Sequence, residues 1–66
     1  MKKLKNNLKS IRMKEYMLGS QEFAEKLGVP RSTYSQWENG ISNPTLIKAI
    51  EIAGKLNKSV EEIWYF

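Results

Sequence analysis

Apolar residues recur along this chain at helical spacing, in short runs punctuated by Gly, Pro and polar turn formers. Leu4, Leu8 and Ile11 fall at i, i+4 and i+7, one stripe of a first helix expected to end near Tyr16 to Leu18, before Gly19. Phe23, Ala24 and Leu27 share a face of a second helix from about Ser20 to Leu27, and Gly28 follows where a left-handed backbone is easily adopted. Pro30, with its pre-set φ, opens a third helix reaching Glu38 or Asn39, which Gly40 stops. Ser42, Asn43 and Pro44 favour a loop, after which Thr45 can cap a fourth helix through about Leu56. Ser59 and Glu62 fit a reciprocal capping box for a short fifth helix carrying Val60 and Ile63. No strand, repeat or long linker emerges, so the pattern predicts an all-α, five-helix fold in one domain over residues 1–66.

The same spacing says which faces turn inward. Tyr34 and Trp37 lie three apart on one side of the third helix, with Val29 and Ile41 as bracketing apolar anchors. On the fourth helix Leu46, Ile47, Ala49, Ile50, Ile52, Ala53 and Leu56 cannot all face one narrow seam, so some must meet something else. The chain finishes on Ile63, Trp64, Tyr65 and Phe66, an apolar ending where a polar, frayed one is usual. Either Ile63 and Trp64 close the core, or the fifth helix and its aromatic tail join a second copy in a symmetric homodimer; Tyr65 and Phe66 are hard to bury in one copy. A chain of this length buries only about 60% of the surface its unfolded form exposes, so added buried area matters.

Charge adds a partner class. Of the net +4, residues through Gly19 carry +5, from Lys2, Lys3, Lys5, Lys9, Arg12 and Lys14 against Glu15 alone, and the remainder carries −1. Such a basic end attracts a polyanion, nucleic acid or anionic membrane, or is simply a solvated face. With no Cys and no His there is no disulfide and no expected metal site, and no cofactor or small-molecule ligand is evident. Paired carboxylates in a pocket and glycine-rich phosphate loops are missing too, so an enzyme is not expected. No apolar run approaches the roughly 20 residues of a bilayer span, and the basic start lacks a signal peptide's apolar core, which predicts a cytoplasmic protein. Opposite Tyr34 and Trp37, the third helix carries Arg31, Ser32, Ser35 and Gln36, all able to hydrogen-bond and none acidic. Arg can grip guanine and Gln adenine in bidentate fashion, although short polar faces are also common on helices that only meet water.

Phe23-Ala24-Glu25-Lys26-Leu27-Gly28-Val29, then Tyr34, then Trp37-Glu38-Asn39-Gly40, resembles the XRE-type helix-turn-helix family of lambdoid phage repressors and Cro proteins. Leu8, Ile11 and Arg12 look like that family's first helix, and Pro44 through Trp64 like its fourth and fifth. The resemblance implies a lambda-repressor-like fold with its helix-turn-helix over residues 20–40 and helices four and five over 45–66. It further implies a DNA-binding transcriptional regulator, a repressor in the first instance, acting as a homodimer on a palindromic double-stranded operator. It places base reading at Arg31, Ser32 and Gln36, with Thr33 and Ser35 as secondary contacts. Phosphate contacts would come from Ser20, Gln21, Asn39, Ser42, Asn43 and Thr45, around the start of the second helix and the loop after the third. Ala24 suits a close helix crossing and Gly28 the turn. Arg12 and Glu38 resemble a pair joining the first helix to the end of the third, which either orients the Asn39 end toward phosphates or only fixes the fold.

The chain departs from the family in three places. Gly19 and Ser20 set Gln21 one position late, the link between the first two helices is a residue longer, and Pro30 stands where a capping hydroxyl is frequent. Two other classes stay open. An antitoxin or adaptor could use the same fold to bind protein, and Met1 to Leu18 could form a basic membrane-surface helix, although Asn6, Asn7 and Ser10 dilute its apolar stripe.

Overall fold

The computed structural model describes residues 3–66; Met1 and Lys2, including the Lys2 share of the basic cluster, lie outside the described residues. The order is β1 (Lys5–Asn6), α1 (Leu8–Ile11) continuing as a π-helical stretch (Arg12–Tyr16), α2 (Ser20–Leu27), α3 (Arg31–Glu38), α4 (Leu46–Lys55), α5 (Val60–Ile63) and β2 (Trp64–Tyr65). The fold is all-α with five α-helices, as the periodicity predicts, plus one small sheet that it does not.

That sheet corrects the expected start of the first helix. β1 pairs antiparallel with β2, Lys5 opposite Tyr65 and Asn6 opposite Trp64. Asn7 N–H donates to the Ile63 carbonyl (2.8 Å), and Asn6 Oδ1 accepts from Leu8 N–H (3.1 Å), so the helix begins at Leu8 and Leu4 packs from outside it. Pairing with the tail bonds the backbone of Lys5–Asn6 to that of Trp64–Tyr65, and extending the helix backward would give up these bonds. At its other end α1 widens into π-helix and closes on Met17, which sits left-handed at φ 52. Leu18 N–H reaches back to the Arg12 carbonyl at 3.2 Å.

The core is built from one face of each helix. Leu8 and Ile11, then Phe23, Ala24 and Leu27, then Tyr34 and Trp37, then Ala49, Ile52, Ala53 and Leu56, then Ile63 and Trp64 are all buried. The Phe23 ring meets Tyr34 edge-on (centroids 5.4 Å apart) and Tyr16 at a tilt (5.5 Å), geometries favoured by the ring quadrupole. Ala24 is small enough for α2 and α3 to approach closely, and the turn between them follows the Schellman pattern. Val29 N–H bonds the Ala24 carbonyl (3.0 Å), Gly28 N–H bonds that of Glu25 (3.1 Å), and Gly28 takes φ 75. α3 ends in the same way, with Ile41 N–H on the Gln36 carbonyl (2.9 Å), Gly40 N–H on that of Trp37 (3.1 Å) and Gly40 at φ 74.

This second turn swings Ile41 outward. It is 74% exposed and not the anchor its position suggests, whereas Val29 does pack against the core. The expected caps are in place: Thr45 Oγ1 accepts from Lys48 N–H (3.2 Å), and Ser59 and Glu62 exchange both capping-box bonds. Leu46, Ile47 and Ile50 face outward from α4, and Tyr65 and Phe66 are exposed while Ile63 and Trp64 are not.

Ile63 thus closes the core from the end of the chain. Ile63→Ala is expected to lower the unfolding free energy by about 2–5 kcal/mol, seen as a lower urea midpoint at unchanged slope. A midpoint equal to the parent's would show that this end lies outside the cooperative unit.

Candidate nucleic-acid interface

Pro30 precedes α3 in an extended conformation and offers no side-chain cap. In the following eight residues Tyr34 and Trp37 are buried, Arg31, Ser32 and Gln36 are exposed, and Thr33, Ser35 and Glu38 are half-buried between them. Arg31, Ser32 and Ser35 line one shallow surface depression. Besides the backbone bonds of the turn, two side-chain hydrogen bonds join this helix to the residues after it. Ser42 Oγ donates to Gln36 Oε1 (3.3 Å) and Asn39 Nδ2 donates to Ser35 Oγ (3.4 Å). Residues singled out for base edges and for phosphates are therefore side by side.

Other expected contacts are placed less directly. Thr33 is half-buried, and Asn43 is exposed. Thr45 Oγ1 caps α4 and keeps its hydroxyl proton to donate. Ser20 opens α2 behind Gly19 with no side-chain cap, and Gln21 Nε2 lies along its own helix, donating to Glu25 Oε1 at 3.1 Å. No bond joins Ser20 or Gln21 to the Arg31 face among the described residues.

Arg12 anchors the end of α3. Its Nε donates to Glu38 Oε2 and its Nη2 to Glu38 Oε1, both at 3.1 Å, and its Nη1 donates to the Leu18 carbonyl at 3.0 Å. Each side chain of the pair is only 12% exposed. The Glu38 hydrogen bond holds the Arg12 pKa up against its burial. For Glu38, burial alone would raise the pKa, but the Arg12 hydrogen bonds, the nearby Tyr34 hydroxyl and the charges of Arg12 and Lys9 outweigh it and hold the carboxyl below the usual range. Tyr34 brings its own buried hydroxyl beside the pair, where no hydrogen bond of good geometry holds it among the described residues, and burial, then Glu38, pushes its pKa up.

Two contributors escape sequence reasoning. Asn6 Nδ2 donates to the Trp37 carbonyl at 2.9 Å, and Lys55 Nζ donates to the Leu27 carbonyl at 3.0 Å, each tying down a helix end from far along the chain. The Asn6-Asn7 pair before Leu8 carries a cap signal, and Asn6 does bond Leu8 N–H, but nothing local points to its second partner. Among the described residues no cluster of His, Cys, Asp and Glu could hold a metal ion, and no helix is long and apolar enough to cross a membrane.

A family model described as Helix-turn-helix matches residues 8–63, spanning α1 through α5. No curated protein matches the sequence.

The ion pair also predicts a pH response. Because the folded-state pKa of Glu38 is lowered, its contribution is complete above the unfolded glutamate pKa of about 4.3 and is lost as pH falls through the lower folded value. Stability should therefore fall in acid, and Glu38→Gln should start lower and lose less over the same window, checked by denaturant midpoints from neutral pH downward. A Glu38→Gln curve parallel to the parent's would show that Glu38 does not govern this response.

Proposed function

The chain belongs to the XRE-type, Cro/C1-like helix-turn-helix family of DNA-binding transcription regulators, and from that premise we propose a single-domain, sequence-specific repressor that reads operator DNA with α3. The observation that carries this reading is a non-acidic face, Arg31, Ser32, Ser35 and Gln36, on a helix anchored from behind by Tyr34 and Trp37 and at its end by Arg12. Arg31 and Gln36 are residue types that make bidentate contact with guanine and adenine, Gln36 on giving up its bond from Ser42 Oγ, and Ser32 can donate or accept. Ser35 and Thr33 are secondary. Asn39, Ser42 and Asn43 follow at the end of the reading helix and suit phosphates; Thr45 and the uncapped start of α2 with Ser20 and Gln21 are the outer contacts.

A homodimer follows from what the monomer leaves exposed. Leu46, Ile47 and Ile50 on α4 and Tyr65 and Phe66 on the tail are large and apolar, with Ile63 and Trp64 supporting the tail from the core. A twofold pair would set two reading helices about 34 Å apart, matching half-sites one turn apart in a palindromic operator. A small dimer lying across a promoter blocks polymerase without needing an activating surface, and the cytoplasm is where such an operator is met. The same α4 face favours a second reading, an antitoxin or adaptor in which another protein covers it.

Selection of bound sites from random DNA tests the reading. Arg31→Ala and Gln36→Ala should each cut affinity for the selected site by roughly 5- to 150-fold while binding to unrelated DNA keeps its steep salt dependence. Unchanged selectivity in both variants would exclude these base readers. Sedimentation tests the pairing: Ile47→Ser and Phe66→Ser, at positions 76% and 68% exposed, should shift self-association to higher concentration with little loss of folding. A parent protein that stays monomeric at micromolar concentration, free and on DNA, would exclude the dimer.

A further inference from the structure

We propose that Asn6 is a positioning residue for DNA reading, holding the C-terminal end of α3 to the two-stranded ladder that joins the ends of the chain. This rests on the assignment of α3 as the reading helix.

The Asn6 amide is committed at both ends. Oδ1 accepts from Leu8 N–H (3.1 Å) and Nδ2 donates to the Trp37 carbonyl (2.9 Å), so a flipped amide would set donor against donor and acceptor against acceptor. The backbone of Asn6 is fixed as well, opposite Trp64 in the ladder, and the next residue is fastened to α5 through Asn7 N–H on the Ile63 carbonyl (2.8 Å) and Asn7 Nδ2 on the Glu62 carbonyl (3.1 Å).

The Trp37 carbonyl that Asn6 grips is among the last of α3, which lack partners along the helix. It is also the carbonyl that Gly40 N–H bonds in the closing turn. α3 has no basic residue in its own last turn, so beside the N–H groups of the closing turn it draws on Asn6 from outside the helix. Arg12 grips the side chain of Glu38, the very next residue. Two side chains of the N-terminal segment thus hold consecutive residues at the end of α3, one through the backbone and one through a carboxylate. Gln36 directly precedes them, and its own carbonyl accepts from Ile41 and Ser42 N–H. A shift of this end therefore moves a base-reading side chain and the loop after it together. In an eight-residue helix, about 12 Å long, the base-reading positions have no longer stretch over which such a shift could be absorbed.

Asn7 is the natural comparison. It is the same residue type with the same kind of side-chain bond, but that bond holds α5 and not α3. The experiment compares Asn6→Ser, whose short hydroxyl can still accept from Leu8 N–H but cannot reach Trp37, with Asn7→Ala and the parent. Affinity is measured for the site selected by the parent and for an unrelated duplex, at a temperature where circular dichroism shows each variant folded, and amide exchange is followed at Gly40 and Ile41 in the free protein. Asn6→Ser should lose roughly threefold to tenfold in affinity for the selected site, with unrelated DNA bound as before and faster exchange at Gly40 and Ile41. Asn7→Ala should leave the ratio of selected to unrelated binding unchanged.

An unchanged ratio in Asn6→Ser, or an equal loss in Asn7→Ala, overturns the proposal. Should Asn6→Ser not fold, Asn6→Asp decides in the same assays, since it keeps the acceptor for Leu8 N–H and removes the donor to Trp37; if neither folds, Asn6 belongs to the fold alone and the proposal is wrong. A parent protein that selects no site overturns the assignment of α3 as the reading helix. Exchange at Gly40 and Ile41 then still shows separately whether Asn6 holds the helix end, and rates equal to the parent's overturn that as well.

Discussion

The guanidinium of Arg12 ties the C-terminal end of α3 to the rest of this small domain. It meets the Glu38 carboxylate with two nitrogens and the Leu18 carbonyl with the third, so one side chain joins α1, the link into α2 and the end of α3. Removing two charges from water costs much of what their attraction returns, so the pair is better understood as fixing geometry than as a large source of stability. Only a planar fork can satisfy three acceptors in fixed directions, which makes Lys a poor replacement. The π-helical widening after Arg12 belongs to the same arrangement, because it brings Leu18 back to the residue whose side chain holds it.

Around that clamp the helix-turn-helix is closed twice by one device. Gly28 and Gly40 each end a helix in a left-handed conformation, with backbone bonds reaching back across the turn, so the turn inside the α2 to α3 unit and its C-terminal end are both set by backbone geometry. The apolar face of α3 then rests on Phe23 through Tyr34, leaving Arg31, Ser32 and Gln36 free to face outward. A core this thin does not absorb Leu46, Ile47 and Ile50, which stay exposed on α4 and on which the proposed homodimer rests.

Much of this was legible along the chain because it rests on short-range chemistry. Thr45 and the Ser59-Glu62 box mark helix starts through bonds to residues three positions away. Periodicity placed Tyr34 and Trp37 inward correctly, and it failed at Ile41, where the turn at Gly40 breaks the period on which that placement relied. Leu4 misled for the opposite reason: it keeps the helical spacing of Leu8 and Ile11, yet lies outside the helix because β1 finds a partner at the far end of the chain.

By itself, then, the sequence determined the second to fifth helices, the caps at Thr45 and Ser59, the turn and the face α3 would show, because each depends on side chains within a turn or two of one another. The tertiary structure decided how that face is held, with Arg12 to Glu38 the one such contact that the family resemblance anticipated. Asn6 to Trp37, Arg12 to Glu38 and Asn7 to Glu62 span 31, 26 and 55 residues, and Lys5 and Asn6 pair with the tail. No local pattern encodes such contacts, since a polar side chain's distant partner is chosen only when packing of the core brings one particular carbonyl or carboxylate within reach of it.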